Sequence, residues 1–532
     1  MNIVDAVLAH SPALIVAVPL IGAFLTPLVS RLNDKLRNIF VILVLGLTSS
    51  LVLLLASDIF TKATQGLPSI HRYVFGSQDL ALPVVRILFE VDGMSIFMAI
   101  ISAILALMAV IYSWAFMKEN TGLDKYYTLI LLMTAGMLGM ELTGDMFNFF
   151  VFLEITSISS CALIAFWTHK GEAVDAAFKY IVISAIGALF VLFAVALLYG
   201  QYNALNIAVL ANAIQYTFLD KIALVLLIVA LAMKAGIVPM HMWLPDAYGR
   251  APSSVTLILI GATQASLYGV FRVCFTLYGG VFNSLVITSN TIGWVIATLA
   301  IITILMGVTM ALRQSDFKRL IAYAAVAEIG YMLLGVGTRL ASTYINDYGQ
   351  ITFPAYGATA LTGSIFHIMN DALDVGLLFL VAGAIYYATK ETSLNRMGGL
   401  ARNMKYTSIF FIIGLLAVSG MPPMNGFASK LLIYESTYQL NPILAIIAIL
   451  ASIMLLAVFV KVFHSAFMGP ALPKFKNVKE VSKSMLIAMG VIAAIIIVFG
   501  LFPNLVVENI VRPAADALIQ HSSYITHVLG GI

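Results

Sequence analysis

Apolar runs of about 18 or more residues return along the whole chain, as in IFVILVLGLTSSLVLLLA at 39–56. A run of that length crosses the hydrocarbon of a bilayer as one helix, and a helix satisfies its own backbone polar groups there. About fourteen spans fit, near 12–30, 39–57, 94–117, 127–143, 146–168, 178–199, 222–246, 253–278, 291–312, 320–337, 357–387, 406–433, 442–468 and 484–503. Composition agrees. Of 532 residues, 61% are hydrophobic and 10% charged, against roughly 25% charged in a soluble protein. The expected class is an all-α polytopic membrane protein, a single membrane domain over 1–532. No basic region precedes the first apolar run, so a cleavable signal peptide is not expected.

The basic residues test the count. With the N-terminus taken as outside, loops after odd-numbered spans hold 18 of the 29 Lys and Arg, from Arg31 to Lys483. The opposite loops hold 6: Lys62, Arg72, Arg86, Lys221, Arg339 and Arg512. This is the positive-inside pattern, and one missed span would scramble it. Both termini should therefore face outward. The net charge of +4 belongs to this topology and gives no reason to expect nucleic acid.

Two spans carry the same interruption. LAMKAGIVPMHMWLPD at 231–246 and SGMPPMNGFASKL at 419–431 align Gly236 with Gly420, Pro239 with Pro423, and Met240 with Met424. Upstream, AFKYI at 177–181 resembles IFHIM at 365–369, pairing Lys179 with His367. The offsets are 184 and 188 residues, so two spaced matches agree. They predict two repeats of five spans, 127–280 and 291–468, and an odd number of spans makes the second enter the membrane inverted. Pro239, Pro422 and Pro423 each remove a backbone donor and free a carbonyl one turn earlier. Such freed groups at membrane depth lie in protein or line a water-filled cavity, which is the setting of a midplane ion site.

Charged residues inside the spans are functional candidates by default. Lys234 lies about a dozen residues into the seventh span, too deep to snorkel easily. It reads as locked to one carboxylate or, as desolvated lysines do, as taking and giving a proton. Glu154 is the only carboxylate in the body of the fifth span and is its natural partner, as a static clamp or a switch. His241 suits a relay or a structural role, and Asp246 reads as a helix-end charge near Arg250. His367, Asp371 and Asp374 recur at i, i+4 and i+7 of the eleventh span, on one helix face. Lys430 follows the second break and is weighed like Lys234. Glu328, Lys461 and His464 would extend the path. Glu141 and Asp145 are expected in a wet mouth, and Arg272 and Glu435 near span ends where snorkelling suffices. Cys161 and Cys274 both sit in apolar runs, and no CxxC or GxGxxG motif occurs, so neither a metal nor a cofactor is expected in this chain.

DMFNFFVFLEITSISS, KAGIVPMHMWLPDAYGRAPSS, SDFKRLIAYAAVAEIGYMLLG and GMPPMNGFASKLL resemble the antiporter-like subunits, over about residues 90–470. This family includes large subunits of Mrp-type sodium/proton antiporters, pumping subunits of respiratory complex I, and the matching subunit of membrane-bound hydrogenases. The resemblance implies an ion-translocating subunit in the plasma membrane of a prokaryote, with other membrane subunits as partners. The hydrogenase relatives add peripheral hydrogenase-like and iron–sulfur subunits. No long lateral helix follows the fourteenth span, which favours the Mrp D or membrane-bound hydrogenase type; a stand-alone cation/proton transporter is the rival. By the same resemblance Glu154 and Lys234 form a switching pair with Lys179 nearby, His367 belongs to a central relay, and Lys430 stands at the exit. Two positions depart from the family. Gln264 stands four residues before Tyr268, where a lysine or histidine is common, and Asp371 and Val375 replace a histidine and a lysine. The central wire is expected to be more acidic than usual, which leaves both protons and sodium open.

Overall fold

The computed structural model describes residues 3–67, 69–75, 88–346, 348, 350–470 and 472–530, so Arg86 lies outside the described residues. The chain runs α1 (Ile3–Ser30), α2 (Asp34–Thr64), β1 (His71–Val74), β2 (Leu88–Val91), α3 (Gly93–Phe116), α4 (Leu123–Leu142), α5 (Met146–Ile164) and α6 (Gly171–Tyr202). There follow α7 (Ile207–Ala213), α8 (Phe218–Ala235), α9 (Trp243–Arg250), α10 (Ser253–Phe271), α11 (Gly279–Ser284), α12 (Val286–Arg313) and α13 (Phe317–Ala341). After a hairpin of two short strands, β3 (Tyr344–Ile345) and β4 (Ile351–Thr352), come α14 (Ala355–Thr389), α15 (Lys405–Val418), α16 (Asn425–Leu440), α17 (Pro442–Val462) and α18 (Lys483–Leu501). Three short helices close the chain: α19 (Pro503–Val506), α20 (Arg512–Ile519) and α21 (His521–Leu529).

Among the described residues, eleven helices are long and apolar enough to cross a membrane. Their starts are set by local chemistry. Asp92, Asp145 and Asp316 each accept a backbone N–H as the N-cap of α3, α5 and α13, and Thr217 with Asp220 forms a capping box on α8. The segments crossing in α10, α13 and α14 are wholly buried in the chain and that of α3 is mostly so. These four make the centre. α2, α6, α12 and α17 surround it and turn rows of Leu, Ile and Phe outward, as lipid-facing helices do.

The two interrupted spans are each two helices. α8 stops at Ala235 and α9 starts at Trp243, while α15 stops at Val418 and α16 starts at Asn425. A left-handed glycine follows each first half, Gly236 (φ 77°) and Gly420 (φ 68°), and cis peptides precede Pro239 and Pro423. At Gly236 a Cβ would lie 2.5 Å from Leu244 Cδ1, so the position needs glycine twice over. The indole of Trp243 donates to the Met233 carbonyl at 2.9 Å, satisfying one acceptor exposed by the break.

Candidate functional site

Lys234 occupies the last turn of α8, with its side chain only 4% exposed. Its stem packs on Gly187 of α6. Nζ donates to Ser157 Oγ at 2.6 Å and Ser184 Oγ at 2.9 Å. Glu154 Oε1 is farther, at 3.5 Å, and the Glu154 side chain is 32% exposed on the outer surface of α5. The ammonium is thus cradled by hydroxyls and loosely faced by its carboxylate. A cavity of about 20 Å³ adjoins it, bounded by Tyr180, Thr263 and Ser266, which is room for a water.

Farther along, α10 meets α14. Gln264 Nε2 donates to Asp371 Oδ2 at 2.5 Å, while Gln264 Oε1 and Asp371 Oδ1 have no hydrogen-bond partner among the described residues. Three residues on, Asp374 Oδ1 accepts from Asn425 Nδ2 at 3.0 Å, and the same amide donates to Asn370. The acidic residues of α14 thus face different neighbours, α10 and α16, and no hydrogen bond joins them to each other among the described residues.

A tight cluster lies at the second break. Glu328 on α13 accepts from Lys430 Nζ at 2.8 Å through one oxygen and meets His367 Nε2 at 2.8 Å through the other. All three side chains are about 1% exposed. Lys430 also donates to the Val418 carbonyl at 2.7 Å, one of those freed at the end of α15, and sits over the Tyr331 ring. His367 Nδ1 reaches Ser429 Oγ at 3.0 Å. Sequence reasoning makes Glu328 a mere extension of the path, yet here it is the hub. A carboxylate shared between a lysine and a histidine lets one proton change owners over a hydrogen-bond length.

Several sequence expectations take another form. Lys179 is 46% exposed and pairs with Asp175 and Asp246 at 2.7 and 3.0 Å, apart from Lys234. Asp246 binds Lys179 and Arg319 rather than Arg250, which turns to Glu172 and Asp316. His241 is buried in the turn between α8 and α9, with Nδ1 unpartnered among the described residues. Lys461 and His464 are exposed and stand off the line. Glu141 and Asp145 are buried, not in a wet mouth, because β2 folds over that end of α4 and α5 through the bridge Phe89–Thr143. Arg272 does not snorkel. It is buried against Asp92 with N–O distances of 2.6 and 2.7 Å.

Residues 143–456 match the family model described as NADH:quinone oxidoreductase/Mrp antiporter, transmembrane, and residues 83–127 match that of the complex I chain 5 N-terminus. An Na(+)/H(+) antiporter subunit from Alkalihalophilus pseudofirmus is 29% identical over 448 residues, 81% of this chain and 54% of that protein. This chain therefore spans about half of that relative. Among solved structures, a chain of the Mrp complex from Dietzia sp. DQ12-45-1b superposes with a TM-score of 0.83 at 25% identity, covering 100% of both chains. A chain of the membrane-bound sulfane sulfur reductase, an archaeal respiratory membrane complex, superposes at 0.81 with 26% identity, covering 97% of this chain and 99% of that one.

Proposed function

Since the chain belongs to the NADH:quinone oxidoreductase/Mrp antiporter family, we propose that it moves protons across a prokaryotic plasma membrane as the antiporter-like subunit of a larger complex. One observation carries this reading: two carboxylate–lysine pairs, Glu154–Lys234 with a buried lysine and Glu328–Lys430 buried throughout, each beside a helix break, with Gln264 and Asp371 between them and His367 on Glu328. Lys234 takes a proton while Glu154 faces it, and releases it inward when the carboxylate swings away and Ser157 and Ser184 alone hold the amine. The proton travels past Gln264, Asp371 and Asp374 to the His367–Glu328–Lys430 cluster, from which it leaves.

A two-repeat architecture is part of this reading, and matched local features support it. Asp145 and Asp316 cap corresponding helices, and each forms a β-bridge with the loop after the next helix, at Asn206 and Ser393. α10 and α17 both run on into π turns, Arg272–Leu277 and Phe463–Met468. Adding α4 and the pairs α8–α9 and α15–α16 to the eleven long apolar helices makes fourteen crossings (11 + 3), in repeats 127–280 and 291–468. The basic-residue pattern then sets both termini outside. The likeness to a chain of an archaeal respiratory membrane complex fits a ferredoxin-linked, hydrogenase-type parent complex, and the comparable likeness to an Mrp chain makes an Mrp antiporter the alternative. In the hydrogenase-type complex, peripheral hydrogenase-like and iron–sulfur subunits would supply the energy, with no cofactor in this chain.

Sodium is the second reading, favoured by oxygens of Gln264, Asp371 and Asn425 that have no hydrogen-bond partner among the described residues, since hard cations take such ligands. In the complex reconstituted into vesicles, Lys234→Ala and Lys430→Ala should each cut driven proton uptake about tenfold or more while the subunits still co-purify. Normal pumping in both variants would sink the proposal. Loss of assembly instead would make the charges structural pairs, and sodium uptake without proton uptake would change the ion.

A further inference from the structure

Asp92 caps α3, and Arg272 opens the π turn at the end of α10. Beyond the two bonds to Asp92, the guanidinium donates to Ser95 Oγ and Tyr268 OH at 2.7 Å each and to Thr276 Oγ1 at 3.2 Å. The pair stands between two spaces. On one side a cavity of about 650 Å³ opens beneath α20 and α21, bounded by Asp92, Tyr524, Arg512, Asp516, Gln520 and His527. On the other, Arg272 and Tyr268 border a pocket of about 20 Å³ that reaches Met140. Met140 also borders the cavity of similar size around Lys234. Each small space has room for a water. Glu141, the next residue in sequence, is fully buried; its Oε1 accepts from Ser102 Oγ at 2.6 Å and its Oε2 has no hydrogen-bond partner among the described residues. A pair that only pinned α3 to α10 would need neither space.

We propose that Arg272 and Asp92 form the gate of a second access route, along which water and protons reach Lys234 from the face that carries the C-terminal helices. The proposal rests on the reading of Lys234 as a proton carrier. With the gate closed, the guanidinium and its bonds to Asp92, Ser95 and Tyr268 stand across the route and close it. An alternative acceptor stands ready for the opened arginine. Glu90 lies two residues before Asp92 and is held by Tyr524 OH and by Asn206 Nδ2 at 2.7 Å, and the Tyr524 ring already lies 5.6 Å from the guanidinium. Transfer from Asp92 to Glu90 would join the outer cavity to the pocket at Tyr268 without stranding the charge, which matters because an unpartnered buried ion is costly.

The test is side-specific thiol labelling. Met140→Cys is placed in a chain with Cys161→Ala and Cys274→Ala, assembled in its complex in sealed vesicles, and a small cationic methanethiosulfonate is added to one face at a time. With the pair intact, the thiol should stay unreactive from the face of the C-terminal helices. Asp92→Asn, or Arg272→Lys with its charge kept and its fork lost, should raise labelling from that face alone by about tenfold or more. Assembled variants whose thiol stays as protected as before would overturn the gate and leave a fixed clamp. Proton uptake by Lys234→Ala is read separately. Labelling through the opened gate, together with normal pumping in Lys234→Ala, would remove Lys234 as the carrier and leave the route standing.

Discussion

At the scale of single residues, burial decides what each charge can do. Burial pushes the Glu90 carboxyl up to about 7, against the pull of its Tyr524 and Asn206 hydrogen bonds and of Arg272 and Arg72 nearby. An acid raised on folding binds more protons folded than unfolded, so its contribution to stability falls as pH rises from about 4.5 to about 7 and is flat above. Thermal unfolding of Glu90→Gln should therefore match the unsubstituted chain near pH 5 and exceed it by a few degrees at pH 8. A larger gap at the acid end would refute the assignment. The deep charges were legible in the sequence because a lysine or aspartate in an apolar run has no innocent explanation, as at Lys234, Asp371 and Lys430. Glu141 and Arg272 were misread because each lies near a span end, and what covers a span end comes from distant parts of the chain. Ser157, Ser184 and Asn425 were invisible for another reason: hydroxyls and amides are ordinary in any helix, and only packing selects those that touch a charge.

At the scale of elements, the two breaks were plain from glycine and proline, but their placement was not. The apolar run around Lys234 suggests a mid-span charge, yet α8 ends one residue later, so the lysine belongs to a helix terminus. Lys430 lies instead in the second turn of the helix after its break. Dihedral geometry makes Gly236 the sensitive point, since φ of 77° disfavours any side chain and Leu244 occupies the space of a Cβ. Gly236→Ala should cost about 1–3 kcal/mol of stability and reduce proton uptake by shifting Lys234. Adding Leu244→Ala should restore part of both, because it removes the collision and leaves the backbone strain. Full activity in Gly236→Ala, read by proton uptake in vesicles, would show that the break tolerates a side chain. The π turns after α10 and α17 left no trace in composition, since a single widened turn depends on how the following loop is pulled.

At the scale of the whole molecule, Glu154 sets a requirement that the chain does not meet alone. A carboxylate one-third exposed in the middle of a membrane-crossing helix would face lipid, which is costly. A neighbouring membrane subunit is expected to cover that side of α5. Ile158, one helical turn on and 60% exposed, lies on the same stripe. A photoreactive group at Ile158 should capture a membrane subunit of the parent complex rather than lipid. Mass spectrometry of the material co-purifying with it tells a hydrogenase-type complex, with iron–sulfur proteins, from an Mrp antiporter built of small membrane subunits. Capture of lipid alone would leave Glu154 uncovered and count against an assembled role. The contact of Tyr524 with Glu90 joins residues 434 apart in sequence, and Arg72 reaches the Val528 carbonyl across 456. A chain emerging from the ribosome makes one partner of each contact 434 or more residues before the other. The end of the molecule that carries β1 and β2 therefore stays unfastened until α21 has been made, however early its own strands emerge.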